Sequence, residues 1–559
     1  MKFADDQYNA ASSFAYTMIV VDDEPKDESI ETAPAGKLIK PGRRDAAAAQ
    51  SEEAVAKKPE AQRSHPLDAK GLVRSALDLG LVCSVVNPSG DEDNVAKGVA
   101  RASLRADIVS LDWHMNHGDE GELASEIIKE ILLGDEAIGG RLRLIAIYTG
   151  NKDHVSILDT IAKRLNEDDQ ITGAVTRKGD VLTNLTGLRI IWREKSMGNE
   201  KLTHAVSETQ LPSELLKAFS ELSNGLLSNV ALATISSMRD TTHHVLSKFS
   251  SELDGPFFHH RALLNNSSDS MDYAVSVVMS ALKSEVDKSK VTSKYTTAEA
   301  IKRRLTQMPQ SPENFKLRYS NKGQEREFRL TVDDVISIME RGFSDWPDVD
   351  KQAALERQEN KQTSPVPPKG AFNKNFSTLF CDDIESARFS MRQFSFLTNS
   401  QSSELSMIHR KTPPKLGLGS VIFSEAKGYF LCLQATCDTV RGAGLFFFVP
   451  LEVVADDTPD IVVPHGTIET QTNYVGLSIP PKCYTKSLSL DFGVINDAIG
   501  HIPICYDGDR NVYHVPDVNN TDYRWLANLK YKRALRIAQN MSQEISRIGF
   551  DEFEPFRKS

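Results

Sequence analysis

The sequence predicts a multidomain chain in which an N-terminal doubly wound α/β domain precedes a helical middle region and a β-rich domain that ends in a helix. Two observations lead to this prediction. The chain has 559 residues, which is too many for one hydrophobic core. The spacing of apolar residues also changes along the chain, from short continuous runs to helical periodicity and then to short runs broken by glycine and proline.

The first domain is predicted over residues 1–200, because apolar runs there alternate with amphipathic stretches, as in a parallel sheet covered by helices. Apolar residues occupy consecutive positions in each run, which is typical of strands buried on both faces. The runs are Phe14–Val21, Leu81–Asn87, Asp107–Leu111, Leu142–Tyr148 and Leu188–Trp192. Residues 26–64 have too little apolar content to pack, so we expect a disordered insert there.

Three further zones follow the α/β domain. Residues 201–347 carry apolar residues at three- and four-residue steps and are predicted to be helical. Residues 348–375 are rich in Gln, Lys, Glu and Pro, which predicts a linker. Residues 376–559 combine β-branched and aromatic runs with turn residues, which predicts a β-rich domain. An amphipathic helix is expected at its end, over Asp522–Ile548.

The composition is that of a soluble globular protein, with 40% hydrophobic and 26% charged residues. The net charge is −11, so nothing global favours binding to nucleic acid. No apolar run approaches the ~20 residues that span a bilayer. The six cysteines form no CxxC pair, which suits reduced thiols better than a disulfide framework. We therefore expect a cytoplasmic protein with no membrane partner.

Polar residues follow directly on the predicted strands of the first domain. Asp22 and Asp23 follow the first run, and Asp112 follows the third. Thr149 follows the fourth run, and Lys195 lies just after the fifth. Ligands of open parallel sheets bind outside the carboxyl ends of the strands. Three neighbouring carboxylates repel one another, and Mg²⁺ relieves that repulsion. Beside Mg²⁺, Asp112 is a candidate nucleophile for phosphoryl transfer, with Thr149 and Lys195 at the phosphoryl oxygens.

Three segments of this domain resemble the response-regulator receiver domain, which has a flavodoxin-like fold. The segments are Ile19–Pro25, Leu111–Met115 and Ala146–Gly150. The resemblance covers about a third of the chain, and its motifs are specific in combination because they occur in order at successive strand ends. It implies a two-component regulatory system, in which a response regulator is phosphorylated by a sensor histidine kinase.

The resemblance also implies roles for individual residues. It implies that Mg²⁺ is held by the carboxylates of Asp22, Asp23 and Asp112 and by the backbone carbonyl of His114. It implies that Asp112 becomes 4-aspartylphosphate. The residues implied in catalysis are Asp112, Thr149 and Lys195.

The sequence departs from the family pattern at three places. The stretch between Asp22 and Asp112 is long for the family, and the predicted insert at 26–64 accounts for the excess. Asn116 stands where the family usually has proline. The stretch before Lys195 is long for the family, which predicts a hairpin-like insertion around Ile171–Leu182. Lys178 lies in that insertion and is the alternative to Lys195 as the active-site lysine.

The insert-bearing receiver joined to long additional domains is similar to the diverged receivers of bacterial antiphage two-component systems, most of all to the response regulatory component of systems of the Detocs type. This resemblance implies a phosphate buffer that drains the sensor kinase, while a separate receiver-bearing effector carries the antiviral output. We find no motif of an output enzyme and expect a phosphoacceptor protein with at most autophosphatase activity.

Two alternatives from other classes stay open. The predicted terminal helix is basic, with residues such as Arg524, Arg533 and Arg536, and a DNA-binding transcriptional regulator would use such a helix. The sequence lacks a helix-turn-helix arrangement around it. The other alternative is a degenerate receiver that serves only as a protein-binding module, in which Asp112 is never phosphorylated.

Overall fold

The structure is a computed structural model. It describes residues 2–23, 67–88, 92–115, 120–171, 174–184, 187–196, 205–264, 269–308, 315–321, 323–358, 366–404, 413–435, 438–439, 443–454, 458–465, 473–494, 501–508, 510 and 512–545. The predicted insert at 26–64 lies outside the described residues. The chain forms two compact units, one of residues 4–236 and one of residues 1–3 and 237–559.

The first unit contains the predicted α/β domain. Its helices are α1 (Phe3–Phe14), α2 (Ala69–Asp78), α3 (Glu92–Ser103), α4 (Glu122–Glu136), α5 (His154–Asn166), α6 (Leu211–Ser220) and α7 (Leu226–Asp240), the last of which continues past residue 236. Its strands are β1 (Thr17–Val21), β2 (Val82–Val86), β3 (Ile108–Leu111), β4 (Arg143–Thr149), β5 (Thr176–Lys178), β6 (Val181–Thr183), β7 (Leu188–Lys195) and β8 (Ala205–Val206).

The sheet of this unit has the strand order β2-β1-β3-β4-β7, with all of these neighbours parallel. This is the doubly wound order 2-1-3-4-5 of flavodoxin-like domains, so the predicted fold is confirmed. Two additions lie beside β7. An antiparallel hairpin of β5 and β6 continues the sheet there, and β8 pairs parallel with β7.

Alternate residues of the inner strands enter two different cores, one on each face of the sheet. In β1, Ile19 and Val21 belong to one core, and Met18 and Val20 belong to the other. The continuous apolar runs arise from this burial on both faces. Strand β2 does not fit the prediction of full burial, because it is the edge strand and Val82 is 69% exposed.

The first unit extends beyond the predicted boundary at residue 200. Leu215 and Phe219 of α6 are buried in the same core as Met18. The apolar face of α6 therefore covers the sheet, and this helix belongs to the α/β unit rather than to the predicted helical region.

The second unit contains ten helices and twelve strands in its described residues. The helices are α8 (Thr242–Leu246), α9 (Asp254–Leu263), α10 (Asp269–Ser289), α11 (Val291–Tyr295), α12 (Ala298–Thr306), α13 (Val332–Arg341), α14 (Asp348–Glu356), α15 (Lys369–Asn375), α16 (Ile384–Asn399) and α17 (Tyr531–Ile545). The strands are β9 (Phe315–Asn321), β10 (Gln324–Leu330), β11 (Ser400–Ser403), β12 (Ser420–Ser424), β13 (Gly428–Cys432), β14 (Ala443–Val453), β15 (Ile461–His465), β16 (Asn473–Ser478), β17 (Leu488–Val494), β18 (Cys505–Asp507), β19 (Val512–Pro516) and β20 (Asp522–Leu529).

Two predictions for the middle of the chain need correction. Residues 201–347 are mostly helical, but they include the antiparallel pair β9 and β10. The predicted linker 348–375 contains α14 and α15, whose Ala354 and Phe372 are buried in the core around that pair. The segment has few apolar residues, yet two of them enter this core, so low apolar content alone did not identify a linker.

The C-terminal part is β-rich, as predicted. Its strand order is β15-β16-β14-β13-β12-β20-β19-β18, with β11 beside β20 and β17 beside β14. The predicted helix over Asp522–Ile548 is wrong in its first third, where the chain forms β20. Leu526 and Leu529 suggested a helical step, but Trp525 and Leu526 are both buried, on opposite faces of the sheet. The helix itself begins at Tyr531.

No helix among the described residues combines the length and the apolar character that a membrane crossing requires.

Candidate functional site

The register of the parallel sheet brings the ends of β1, β3 and β4 to one edge. Val21 pairs with Leu111, and Leu111 pairs with Ile147. The amide of Asp112 donates to the carbonyl of Val21 at 3.0 Å, which carries the same register one residue further. Asp22 and Asp112 therefore leave their strands side by side.

Three carboxylates meet at this edge. Asp22, Asp23 and Asp112 each place a carboxylate oxygen within 4.8 Å of the others. Asp22 is 1% exposed and Asp112 is 9% exposed, while Asp23 is half-buried. Acids that are this close and this buried repel one another, and they need a cation to remain charged together.

Lys195 supplies one positive charge. Its Nζ donates to Asp22 Oδ2 at 2.7 Å and to Asp112 Oδ2 at 2.5 Å, and its side chain is 5% exposed. Burial acts to lower the pKa of Lys195, but attraction from Asp112 and Asp22 outweighs it and raises the pKa above the ordinary value. The lysine is therefore a fixed cation between two of the three acids.

Backbone pairing on both sides of β7 positions this lysine. Glu194 pairs with Thr149 in β4 on one side, and Lys195 pairs with Val206 in β8 on the other. The Tyr148 hydroxyl donates to the Val206 carbonyl at 2.8 Å, and the Tyr148 ring centroid lies 5.8 Å from Lys195 Nζ. Burial raises the pKa of Tyr148, so the phenol stays neutral beside the acids.

The alternative lysine lies elsewhere. Lys178 is the last residue of β5 in the hairpin beside β7, and its side chain is exposed. The structure thus brings Lys195, and not Lys178, into contact with Asp22 and Asp112.

Thr149, at the end of β4, and His114, on the chain after β3, lie beside the acids. Thr149 ends β4 and is 1% exposed, and its Oγ1 accepts from the amide of Asn151 at 3.4 Å. The amide of His114 donates to Asp112 Oδ1 at 3.4 Å. The His114 side chain is exposed, and its Nε2 lies 3.3 Å from Nδ2 of Asn151. Asn151 therefore joins the two loops, a role that the sequence did not reveal.

Comparison with protein-family models gives a match at this part of the chain. Residues 14–200, about a third of the sequence, match the model described as the response receiver domain. Over this segment, hereafter called the receiver domain, the chain is similar to response receiver domains. Comparisons of the chain with curated proteins and with solved structures find no match.

The donor set of the receiver domain fits a magnesium ion. Mg²⁺ prefers oxygen ligands and is held in proteins by one or two carboxylates together with water. The oxygens of Asp22, Asp23 and Asp112 lie close enough together to share one cation. Receiver domains typically bind Mg²⁺ through such acidic residues.

A second group of residues, also missed in the sequence, fixes the chain on the far side of Asp112. Trp113 is 4% exposed, and Gly121 packs against its ring. The Gly121 carbonyl accepts from the Ser125 hydroxyl at 2.6 Å and from Arg164 Nη1 at 2.9 Å. Arg164 belongs to α5, so the receiver domain ties the start of α4 to the next helix. The sequence did contain one signal for this group, because Gly121 stands directly before the apolar helix α4.

Proposed function

We propose that the receiver domain accepts a phosphoryl group on Asp112 from a sensor histidine kinase. The observation that carries this proposal is the contact of Asp112 with Lys195 inside a cluster of three carboxylates. Asp112 is the central acid, because it directly follows β3, and β3 lies between β1 and β4. A nucleophile at this place is reachable from the edge of the sheet where ligands of such folds bind.

The transfer is a displacement at phosphorus. A carboxylate oxygen of Asp112 forms the new P–O bond while the P–N bond of the donor phosphohistidine breaks. The electron pair of the P–N bond stays on the imidazole nitrogen, and the imidazole takes up a proton. Lys195 faces the phosphoryl oxygens with its ammonium group, and the Thr149 hydroxyl donates to one of them. The carboxylates of Asp22, Asp23 and Asp112 and the carbonyl of His114 would hold Mg²⁺, which would neutralise phosphoryl charge when bound.

The wider role in this proposal is a phosphate buffer in bacterial antiphage defence. It is supported by the resemblance to response regulatory components of the Detocs type. In this role the protein drains accidental phosphorylation from the sensor kinase, so that a separate receiver-bearing effector is activated only during infection.

The experiment that tests the proposal is phosphotransfer from the labelled cognate kinase with Mg²⁺. We expect label on the wild type, none on Asp112→Asn, and normal label on Asp78→Asn, because Asp78 is an exposed residue at the end of α2. Label on Asp112→Asn would remove Asp112 from its role. Label on none of the three proteins would favour the alternative in which the domain is a protein-binding module and Asp112 is never phosphorylated.

The buffer role is tested by adding the partner effector to the same reaction. Increasing amounts of wild-type protein should lower the label on the effector, and Asp112→Asn should not. If Asp112 is labelled but the label on the effector does not decrease, the phosphoacceptor proposal stands and the buffer role fails.

A further inference from the structure

A strand of only two residues lies beside Lys195. Strand β8 consists of Ala205 and Val206 and pairs parallel with the last two residues of β7, so that Val206 is the partner of Lys195. The amide of Ser196 donates to the Val206 carbonyl at 3.1 Å. Pairing over two residues makes few backbone hydrogen bonds, so a strand this short depends on other contacts to stay in place.

The Tyr148 side chain supplies such a contact from the other side of β7. Tyr148 lies on β4, which pairs with one flank of β7, whereas β8 pairs with the other flank. The Tyr148 hydroxyl donates to the Val206 carbonyl at 2.8 Å. Because two strand spacings amount to about 10 Å, only a long side chain can join β4 to β8. The hydroxyl therefore holds β8 across the full width of β7.

This hydrogen bond is shielded from water. Tyr148 is 1% exposed and Val206 is 7% exposed, and both belong to the core that contains Leu211 and Leu215 of α6. A buried hydroxyl that lost its carbonyl partner would find no water to replace it, so breaking the bond is costly. The contact between Tyr148 and Val206 therefore favours one position of β8.

The bond also lies next to the charges of the site. The Tyr148 ring centroid is 5.8 Å from Lys195 Nζ, and this ammonium group donates to Asp22 and Asp112. Because Val206 is the strand partner of Lys195, a displacement of β8 would release one flank of the backbone that carries the ammonium group. An ammonium group that is fixed beside two carboxylates competes with a metal ion for their oxygens, and one that moves away competes less.

We propose that Tyr148 is a positioning residue of the phosphoacceptor site, whose hydroxyl holds β8 against β7 and thereby keeps the Lys195 ammonium group between two of the acids. Through Lys195, the Tyr148 hydroxyl lowers the affinity of the site for Mg²⁺ and raises the rate of phosphoryl transfer. This inference rests on the proposed function, since it assigns a further residue to the same site. Its effect on Mg²⁺ binding is measured without any phosphotransfer.

A double-mutant cycle on the full chain tests the proposal, with Mg²⁺ titrated by calorimetry. Tyr148→Phe keeps the ring in the core and removes only the hydroxyl. We expect this variant to bind Mg²⁺ about threefold more tightly than the wild type and to accept phosphate about threefold more slowly. In the Lys195→Met background the same substitution should change neither property. A merely structural role would not tighten metal binding, and its effect would not depend on Lys195.

Tyr16→Phe is the matched control and should bind Mg²⁺ like the wild type. It also removes a tyrosine hydroxyl, which lies 3.0 Å from Ser236 Oγ, but Tyr16 precedes β1 at the end opposite Asp22. Unchanged or weaker Mg²⁺ binding in Tyr148→Phe would overturn the proposal, and so would an equal effect in the Lys195→Met background. If the wild type takes no label from the kinase, the proposed function fails, while the magnesium cycle still decides the role of Tyr148.

Discussion

Gly121 lies directly against the indole ring of Trp113, so that a Cβ atom at residue 121 would be 2.2 Å from Cζ2 of the tryptophan. Trp113 is the residue after Asp112, and Gly121 is the N-cap of α4 with φ of +78°. This contact joins the chain that leaves β3 to the helix that follows. It fixes Trp113, the neighbour of the candidate phosphoacceptor, by packing rather than by charge.

We expect Gly121→Ala to destabilise the receiver domain by about 2–4 kcal/mol, because the methyl group would overlap the ring and because φ is positive. Gly80→Ala is the matched control, since Gly80 has φ of +76° but no atom within 4 Å of an added Cβ. It should cost only about 1 kcal/mol. Urea unfolding followed by tryptophan fluorescence measures both. Equal losses for the two variants would show that the ring contact contributes nothing.

We expect Lys195→Met to bind Mg²⁺ at least about tenfold more tightly than the wild type, because Lys195 competes for oxygens of Asp22 and Asp112. The same variant should accept phosphate more slowly, since it lacks the ammonium group that faces the phosphoryl oxygens. Magnesium titration by calorimetry gives the affinity. Lys178→Met, which removes an exposed lysine of the same domain, should leave both properties unchanged. Unchanged or weaker magnesium binding in Lys195→Met would contradict the competition.

We expect Arg143→Met to cost about 3–5 kcal/mol of unfolding free energy, because it leaves a buried acid without its partner. Arg143 is fully buried and binds both carboxylate oxygens of Asp135 at 2.7 Å. Arg189→Met is the control, since its partner Glu221 is 54% exposed, and it should cost about 0–1 kcal/mol. Chemical denaturation of the full chain distinguishes the two. The double variant Arg143→Met with Asp135→Leu should recover part of the lost unfolding free energy, because it no longer buries an unpaired acid. No recovery would contradict this explanation.

We expect thiol reagents at pH 8 to modify Cys505 and to spare Cys432. Cys505 is exposed, whereas burial raises the pKa of Cys432 to about 12. The thiolate is the reactive form, and at pH 8 a thiol with such a pKa is ionised only to about one part in ten thousand. Alkylation followed by peptide mass spectrometry measures each site. Rapid labelling of Cys432 in the folded protein would show that its strand opens readily.

The parallel sheet could be predicted because its inner strands are buried on both faces and appear as continuous apolar runs. The same rule failed at the other end of the chain. In β20, Leu526 and Leu529 lie in one core and Trp525 lies in another. A strand buried on both faces has no period of two, so its apolar residues matched a helical spacing by chance.

The acids of the candidate site could be predicted because each follows its strand directly. Asn151 and Gly121 could not, because their roles depend on contacts between loops and helices that sequence spacing does not reveal. The choice between Lys195 and Lys178 also required the structure. It depends on which of the two strands, β5 or β7, continues the sheet in parallel register, and β7 does so next to β4.

Strand β7 is laddered to β4 on one flank and to β6 and β8 on the other. A shift of the main chain at Lys195 would therefore break hydrogen bonds on both flanks at once. The backbone that carries the Lys195 ammonium group is thus held in place by its neighbouring strands. If Asp112 accepts a phosphoryl group, the main chain at Lys195 is therefore less free to shift than the residues around His114 and Asn151.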